Sequence, residues 1–344
     1  MPNPDKTAAF LHLSAKRQVP SAVRQIMERS SDTQNSVAYL GDKAFLVADQ
    51  KDSFVMYAVA AHSWVSMGDP VGSESSGRDL VWKFAENAYA AGRFPVFYAV
   101  GDRYLTNYLD LGLAILKIGE VARVDLATFT MDGKHASDFR YALKRAGRDG
   151  LNFAVLPRED VPAVMAELNE VSDSWLAIKS GHEKSFSLGR FDPAYLREFD
   201  CAVLRKGGVI VAFANLWRSG DGSELSIDLM RYRPGVSKVT MDALFAHLLL
   251  YGRTQGYIWF NLGAAPLAGL AQHPLASTWN KVGTFVYSRA DEFYNFEGLR
   301  SFKEKFQPVW TPQFLACPGG LRLPQALLDV TTLISGSAMG ALKR

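Results

Sequence analysis

The chain is short of the residues that build metal centres and disulfide frameworks. It has two cysteines in 344 residues, Cys201 and Cys317, which suits a reducing compartment and supports no disulfide scaffold. Its six histidines (His12, His62, His135, His182, His247 and His273) are scattered, and neither an HExxH nor a CxxC spacing occurs. Any catalysis is therefore expected to be metal-free, and no cofactor is implied. A dominant sign of charge is lacking too. The 38 basic and 35 acidic residues leave a net +3, too even for a protein that grips a polyanion over its whole surface, so a polyanion site must be a local patch. No apolar run reaches the roughly 18 residues of a membrane helix, and no signal peptide opens the chain. The longest apolar piece, Ala243 to Tyr251, contains His247 and runs into Gly252-Arg253. A soluble unit is expected, and the start Met1-Pro-Asn-Pro reads equally as a boundary inside a longer protein.

What remains is an ordinary globular composition, 48% apolar and 21% charged, in a chain long enough for two domains. Hydrophobic spacing predicts a helix over 21–29, strands over 44–48 and 54–60, and a strand from His62 into a Gly/Pro turn ending at Gly72. A helix over 77–91 follows, with Leu80, Phe84 and Ala88 four apart, then a strand over 94–100, a helix over 103–111 and a strand over 114–125. From residue 151 the course repeats. A strand over 152–156 and a helix over 161–175 lead to a hairpin, 202–206 and 209–217, turning at Gly207-Gly208. A strand over 224–232, a helix over 240–255 and a strand over 257–262 complete it. The fold class expected is mixed α/β. It would be built as two copies of one unit, residues 1–135 and 151–344, joined by a linking helix within 136–150. The order of strands, loop, helix and strand resembles GNAT-type acyltransferases. Their coenzyme A loop would fall at Arg231-Tyr-Arg-Pro-Gly-Val-Ser-Lys238, which lacks the Gly-x-Gly pair that cradles a pyrophosphate; an acyl-coenzyme A enzyme is disfavoured, an acyl transferase with another donor is not.

Three segments carry candidate chemistry. In Leu225-Ser-Ile-Asp-Leu-Met-Arg231 strand alternation places Leu225, Ile227 and Leu229 on one face and Ser226, Asp228 and Met230 on the other. A mid-strand carboxylate such as Asp228 needs a partner or water. Arg231 would face away from it in an ideal strand, unless a bulge or the strand end brings the two together. The run from Ser172 to Phe191 is polar, glycine-punctuated and long for a passive connection, with Trp175, Lys179, His182, Glu183 and Lys184 as its functional groups. On the linking helix Arg140, Lys144 and Arg148 recur every four residues, a stripe suited to phosphates of RNA or of an anionic membrane surface, or simply to water.

The densest segment lies near the end, from Tyr294 to Phe314. A helix from about Glu297 to Phe306 would put Leu299, Phe302 and Phe306 on one stripe with Lys303 beside it, while Arg300 and Lys305 point elsewhere. Pro308 and Pro312 then bracket Trp310 and stop any helix.

Five pieces together, Ser172-Asp-x-Trp-Leu176, Phe186-Ser-Leu-Gly-x-Phe191, Asp228-Leu-Met-Arg231, Asn261-Leu-Gly-x-Ala-Pro-Leu267 and Tyr294-x-Phe-x-Gly-Leu-Arg-x-Phe-Lys-x-Lys-Phe-x-Pro-x-Trp310, resemble the catalytic domain of MprF-type aminoacyl-phosphatidylglycerol synthases. The resemblance spans nearly the whole chain and is nearest to the alanyl-transferring branch. One departure is Gln313-Phe314, where relatives often carry Arg-Tyr. The resemblance implies tandem GNAT-like domains and transfer of the aminoacyl group, expected to be alanyl, from aminoacyl-tRNA to a glycerol hydroxyl of phosphatidylglycerol. It also implies an N-terminal multi-helix membrane region, a place at the cytoplasmic face of the bacterial inner membrane, and a part in antimicrobial resistance through lipid charge. An aminoacyl ester is already activated, so the expected machinery only aligns groups, moves a proton and stabilises an oxyanion. The catalytic residues expected are Asp228, to orient the substrate amine or assist proton transfer; Arg231, to position it or bind phosphate; and Lys303, to stabilise developing charge or hold lipid phosphate. Glu183, Tyr195, Arg300 and Lys305 are expected to line the substrate site, Arg140, Lys144 and Arg148 to form a tRNA or lipid phosphate patch, and a passage open at both ends to run between the domains. The alternatives are a lysyl donor, a Fem-like transferase acting on peptidoglycan precursors, and a non-catalytic module binding RNA or acidic lipid.

Overall fold

The computed structural model describes residues 18–178, 183–281 and 296–336; Lys179, His182 and Tyr294, and the sequence motifs' parts around them, lie outside these. The first stretch holds helix α1 (Ser21–Met27), a 3-10 helix (Gln34–Leu40) and strands β1 (Ala44–Val47), β2 (Ser53–Val59), β3 (Ser63–Met67) and β4 (Val71–Gly72). Helix α2 (Glu74–Ala90), β5 (Phe94–Val100), α3 (Leu105–Asp110), β6 (Ala114–Asp125) and α4 (Ser137–Arg148) follow. Next come β7 (Leu151–Leu156), α5 (Val161–Leu176), α6 (Pro193–Leu196), the hairpin β8 (Cys201–Lys206) and β9 (Val209–Arg218), then β10 (Glu224–Tyr232), α7 (Thr240–Thr254) and β11 (Trp259–Pro266). The chain closes with α8 (Phe296–Glu304), β12 (Val309–Cys317) and α9 (Leu323–Ser335).

The twelve strands of the described residues form one mixed sheet, in the order β1-β2-β3-β5-β12-β6-β11-β10-β9-β8-β7 with β4 paired to β2. Mixed α/β is thus the class observed. Two parallel pairs are joined by helical crossovers, β3 to β5 through α2 and β10 to β11 through α7. Sequence spacing missed β12, because Pro312 sits in mid-strand, where a proline removes a ladder hydrogen bond. The sheet absorbs it next to a register shift at Gln313/Phe314. The consequence is large, since β12 lies between β5 and β6 and ties the end of the chain into its first half.

Side-chain alternation along β8 sends Cys201 and Val203 to one face and Ala202 and Leu204 to the other, each into its own apolar cluster. One face is covered by α5, α6 and α9, through Leu168, Val171, Leu196 and Val330. The other is covered by α4 and α7, with Phe139, Leu244 and Phe245, and by Phe302 and Phe306. Helix α8 is shorter than the expected one, but its apolar stripe survives: Phe302 meets Phe306 edge-on at 5.4 Å, and Phe306 stacks on Phe139 of α4 at 4.7 Å. Among the described residues no helix is long and apolar enough to cross a membrane.

One expected pattern is corrected. Leu225 and Ile227 pack with the α7 cluster, whereas Leu229 packs with the α5 cluster. The register between β10 and β9 shifts between Ile227 and Met230, so two residues, Asp228 and Leu229, stand opposite Asn215 alone. This is a β-bulge, and the Asn215 side chain stitches it by accepting from the Leu229 amide at 2.8 Å. After the bulge Arg231 returns on the face that Asp228 uses, as an ideal strand would forbid.

Candidate active site

Asp228 sits at the bulge with its carboxylate held on both oxygens. The Gly189 amide donates to Oδ1 at 2.9 Å, and the Tyr195 hydroxyl donates to Oδ2 at 2.7 Å. Tyr195, on α6, in turn accepts from the indole of Trp217 at 3.0 Å. Burial pushes the Asp228 carboxyl up to about 6, against the pull of the two hydrogen bonds and of Arg231 and Lys43. Burial and the Asp228 charge together push the Tyr195 hydroxyl well above its ordinary value, so it stays a donor. Close approach dictates residue 189. A Cβ there would lie 1.7 Å from Asp228 Oδ2 and 2.9 Å from Tyr195 Cε1, so only glycine lets the loop reach the carboxylate. Gly189→Ala is expected to destabilise the protein by about 1–3 kcal/mol through overpacking and to depress activity further. Denaturant unfolding checks this, and an unchanged midpoint would show that the loop stands off.

Arg231 is 3% exposed and fully engaged. It donates to the Ser172 hydroxyl and the Glu183 carboxylate, and its guanidinium lies 5.2 Å from the Trp175 ring centroid. Glu183 also accepts from the Phe191 amide at 3.0 Å. The Ser172 and Trp175 of one motif, Glu183, and the Phe186–Phe191 run of another thus form a cradle around Arg231 and Asp228. A buried guanidinium with three partners is fixed in place, which favours a positioning part over phosphate capture.

Lys303 stands at the neighbouring strand. Strands β10 and β11 pair only over Glu224–Ser226 and Trp259–Asn261. Beyond Ser226 and Asn261 both strands continue without pairing to each other, β10 carrying Asp228 and β11 carrying Gly263 and Ala264. Lys303, 5% exposed, reaches in from α8 and donates to the carbonyls of Gly263 at 2.9 Å and Ala264 at 2.7 Å. Burial lowers its ammonium to about 7. The Asn261 side chain holds this turn by accepting from the Gly263 amide at 2.8 Å and donating to Glu224 at 3.2 Å. Asp228 and Arg231 belong to the α5 face and Lys303 to the α7 face, so the two groups flank the parted strands from opposite sides of the sheet.

Arg300 and Lys305 do not join them. Arg300 pairs with Glu120 at 2.6 Å and lies over Trp310, while Lys305 pairs with Asp242 at 3.3 Å near the surface. On α4, Arg140, Lys144 and Arg148 are exposed. Arg140 is spent on the Met131 and Gly133 carbonyls, whereas Lys144 and Arg148 make no ion pair with any described residue. A cavity of about 980 Å³ opens at the paired end of β10 and β11, lined among others by Asp69, Arg103, Arg123, Glu224 and Asn261. It is lined also by Gln313, which donates to the Ala99 carbonyl at 3.4 Å. Among the described residues no group of three or more His, Cys, Asp or Glu is placed to hold a metal ion. Sequence spacing overlooked Gly189, Trp217, Ser172 and Lys43 as members of the site. The first three were visible only as motif letters or hydrophobic residues, and Lys43 carried no local signal at all.

The mixed sheet, with its two parallel crossovers, thus carries a buried carboxylate and a buried lysine where β10 and β11 part. Residues 24–317 match the family described as phosphatidylglycerol lysyltransferase, C-terminal, and the chain belongs to that family. It is 34% identical over 337 residues to the phosphatidylglycerol lysyltransferase of Bacillus subtilis (strain 168), covering 97% of this chain and 37% of that protein. The chain therefore spans little more than a third of that relative's length. Among solved structures it resembles the C-terminal domain of a protein assigned as a lysylphosphatidylglycerol synthetase from Agrobacterium fabrum, with TM-score 0.83 and 40% identity over 92% of this chain and 96% of that one. It likewise resembles the L-PGS from Bacillus licheniformis, with TM-score 0.84 and 35% identity over 94% and 99%.

Proposed function

We propose that the chain transfers an aminoacyl group from aminoacyl-tRNA to a glycerol hydroxyl of phosphatidylglycerol. The observation that carries this is a buried carboxylate, raised to about 6, and a buried lysine, lowered to about 7, where β10 and β11 part, in a member of a family named for such a transfer. Two titrating groups poised near neutrality are what acid–base and oxyanion work require. In this reading the ionised Asp228 takes the proton from the lipid hydroxyl. The hydroxyl oxygen bonds to the ester carbonyl carbon, and Lys303 stabilises the oxyanion that forms. Collapse then breaks the ester bond to the tRNA ribose, whose oxygen leaves with the proton returned from Asp228. Arg231, locked by Glu183, Ser172 and Trp175, orients the carboxylate, and Tyr195 fixes its rotamer.

The alanyl donor that the resemblance implied yields to a lysyl donor, since the relative covering 97% of the chain is named a lysyltransferase. Two GNAT-like units, residues 1–135 and 151–344 with α4 linking them, remain our description of the architecture, supported by the two helical crossovers. We place the chain at the cytoplasmic face of a bacterial inner membrane, behind an N-terminal membrane region, with lipid charge and antimicrobial resistance as the outcome. The test is direct. The protein is incubated with phosphatidylglycerol vesicles and tRNA charged with lysine or alanine, and the lipid is analysed for aminoacylation. Lysyl transfer in excess of alanyl supports the reading, and the reverse ratio restores the alanyl donor. Absence of any lipid product with both would sink the function.

The stripe on α4 is assigned to phosphates of tRNA or lipid. Replacing Lys144 and Arg148 together by Gln, Arg140 being held by the Met131 and Gly133 carbonyls, is expected to weaken tRNA or anionic vesicle binding about tenfold at low salt, with little effect at high salt. Equal binding in a salt titration would return the stripe to solvent.

A further inference from the structure

Lys43 lies far from the active-site motifs in sequence and against them in space. It sits between the 3-10 helix and β1, and its side chain is wholly buried. Its ammonium donates to Asp42 Oδ1 at 2.6 Å and to the Val37 carbonyl at 3.2 Å, and it lies 5.3 Å from the centroid of the Phe186 ring. The other oxygen of Asp42 accepts from the Phe186 amide at 3.1 Å. Phe186 begins the turn whose Gly189 amide grips Asp228. The Asp42-Lys43 pair therefore holds one end of the loop that Asp228 holds at the other. Lys43 also favours the ionised form of Asp228, less than the two hydrogen bonds and Arg231 do. The groups facing Asp228 are Tyr195, Arg231 and Lys43, and those facing Lys43 are Asp42, Asp228 and Arg190. Glu183 faces Arg231 and offsets its charge. Asp42 offsets Lys43 in the same way, so the stronger link from Lys43 to Asp228 runs through the turn, whose Gly189 amide favours the ionised carboxyl.

We propose that Lys43, through its pair with Asp42, is a positioning residue of the transfer site, fixing the Phe186–Gly189 turn so that the Gly189 amide stays on the Asp228 carboxylate. The proposal rests on the reading that Asp228 works as a carboxylate during turnover. A hydrogen bond donated to a carboxylate favours its ionised form. Releasing the turn removes the Gly189 amide from Asp228, so the acid limb of activity moves to higher pH.

The test measures kcat/KM for lipid aminoacylation from pH 5 to 8 in the native protein and in Lys43→Met, Lys43→Arg and the double variant Asp42→Asn/Lys43→Met. The double variant removes both charges of the pair, leaving neither unpaired, and guards against a misfolded single variant. The expected result is an acid limb displaced upward by about 0.5 unit or more in Lys43→Met and in the double variant, and an undisplaced limb in Lys43→Arg. Activity at pH 6 then falls more than activity at pH 8. A purely structural lysine would lower activity equally at every pH, and a limb that stays put in a folded variant lacking the Lys43 charge overturns the proposal. Asp228→Asn, measured alongside, separates the two ideas. If it keeps the native acid limb, the part given to Asp228 fails. If it abolishes the limb while Lys43→Met leaves it in place, the part given to Lys43 fails.

Discussion

Asp228→Asn is expected to lower kcat by about 10²–10⁴-fold at pH 7, the range for loss of a positioned acid–base group, without lowering the melting temperature. The amide keeps an acceptor for the Gly189 amide and a polar edge for Tyr195, so the fold around it stands. The pH dependence has a definite sign. The native carboxyl titrates near 6, above its ordinary value. Activity that needs the carboxylate is present above that pH and lost as pH falls through it. For stability the sign is opposite. A carboxyl whose folded value is raised disfavours the folded state above about 6, and the penalty is relieved as pH falls towards the unfolded value. Removing the charge should leave stability at pH 7.5 equal or higher. Activity profiles and thermal unfolding at two pH values check both signs; near-native kcat at pH 7 would remove Asp228 from the chemistry.

Lys303→Met is expected to cost about 10²–10³-fold in kcat, as does loss of one oxyanion donor, and to abolish the alkaline limb. The ammonium titrates near 7 because burial lowers it, so its charge is present below that pH and fades above it. With Asp228 ionising near 6, native activity should describe a narrow bell centred between the two values. The native alkaline limb near 7 surviving in Lys303→Met would assign that limb to another group. A flat native profile across pH 5–8 would show that neither group titrates during turnover.

Much of the frame was legible beforehand. Strands β5, β6 and β10 fall where apolar runs predicted them, since runs such as Phe94 to Val100 admit one period and one burial. The helix carrying Lys303 was legible from the spacing of Leu299, Phe302 and Phe306. The strand at Val309–Cys317 was not, because its prolines argue locally for a break and only pairing on both sides outweighs them. The bulge at Asp228 was equally hidden. Alternation assigns Asp228 and Arg231 to opposite faces, and it takes Asn215 on the adjacent strand to supply the missing partner and shift the register.

The individual motifs were likewise readable as letters and not as contacts. The sequence by itself determined the α/β class, most of the order of strands and helices before β12, and the residues able to carry acid–base chemistry, because periodicity and side-chain type are local properties. Tertiary structure decided that Lys43, Gly189, Tyr195, Asp228 and Arg231 share one centre, and that Lys303 meets the same parted strands while Arg300 and Lys305 do not. Those are consequences of burial, and burial depends on which distant segments close over one another.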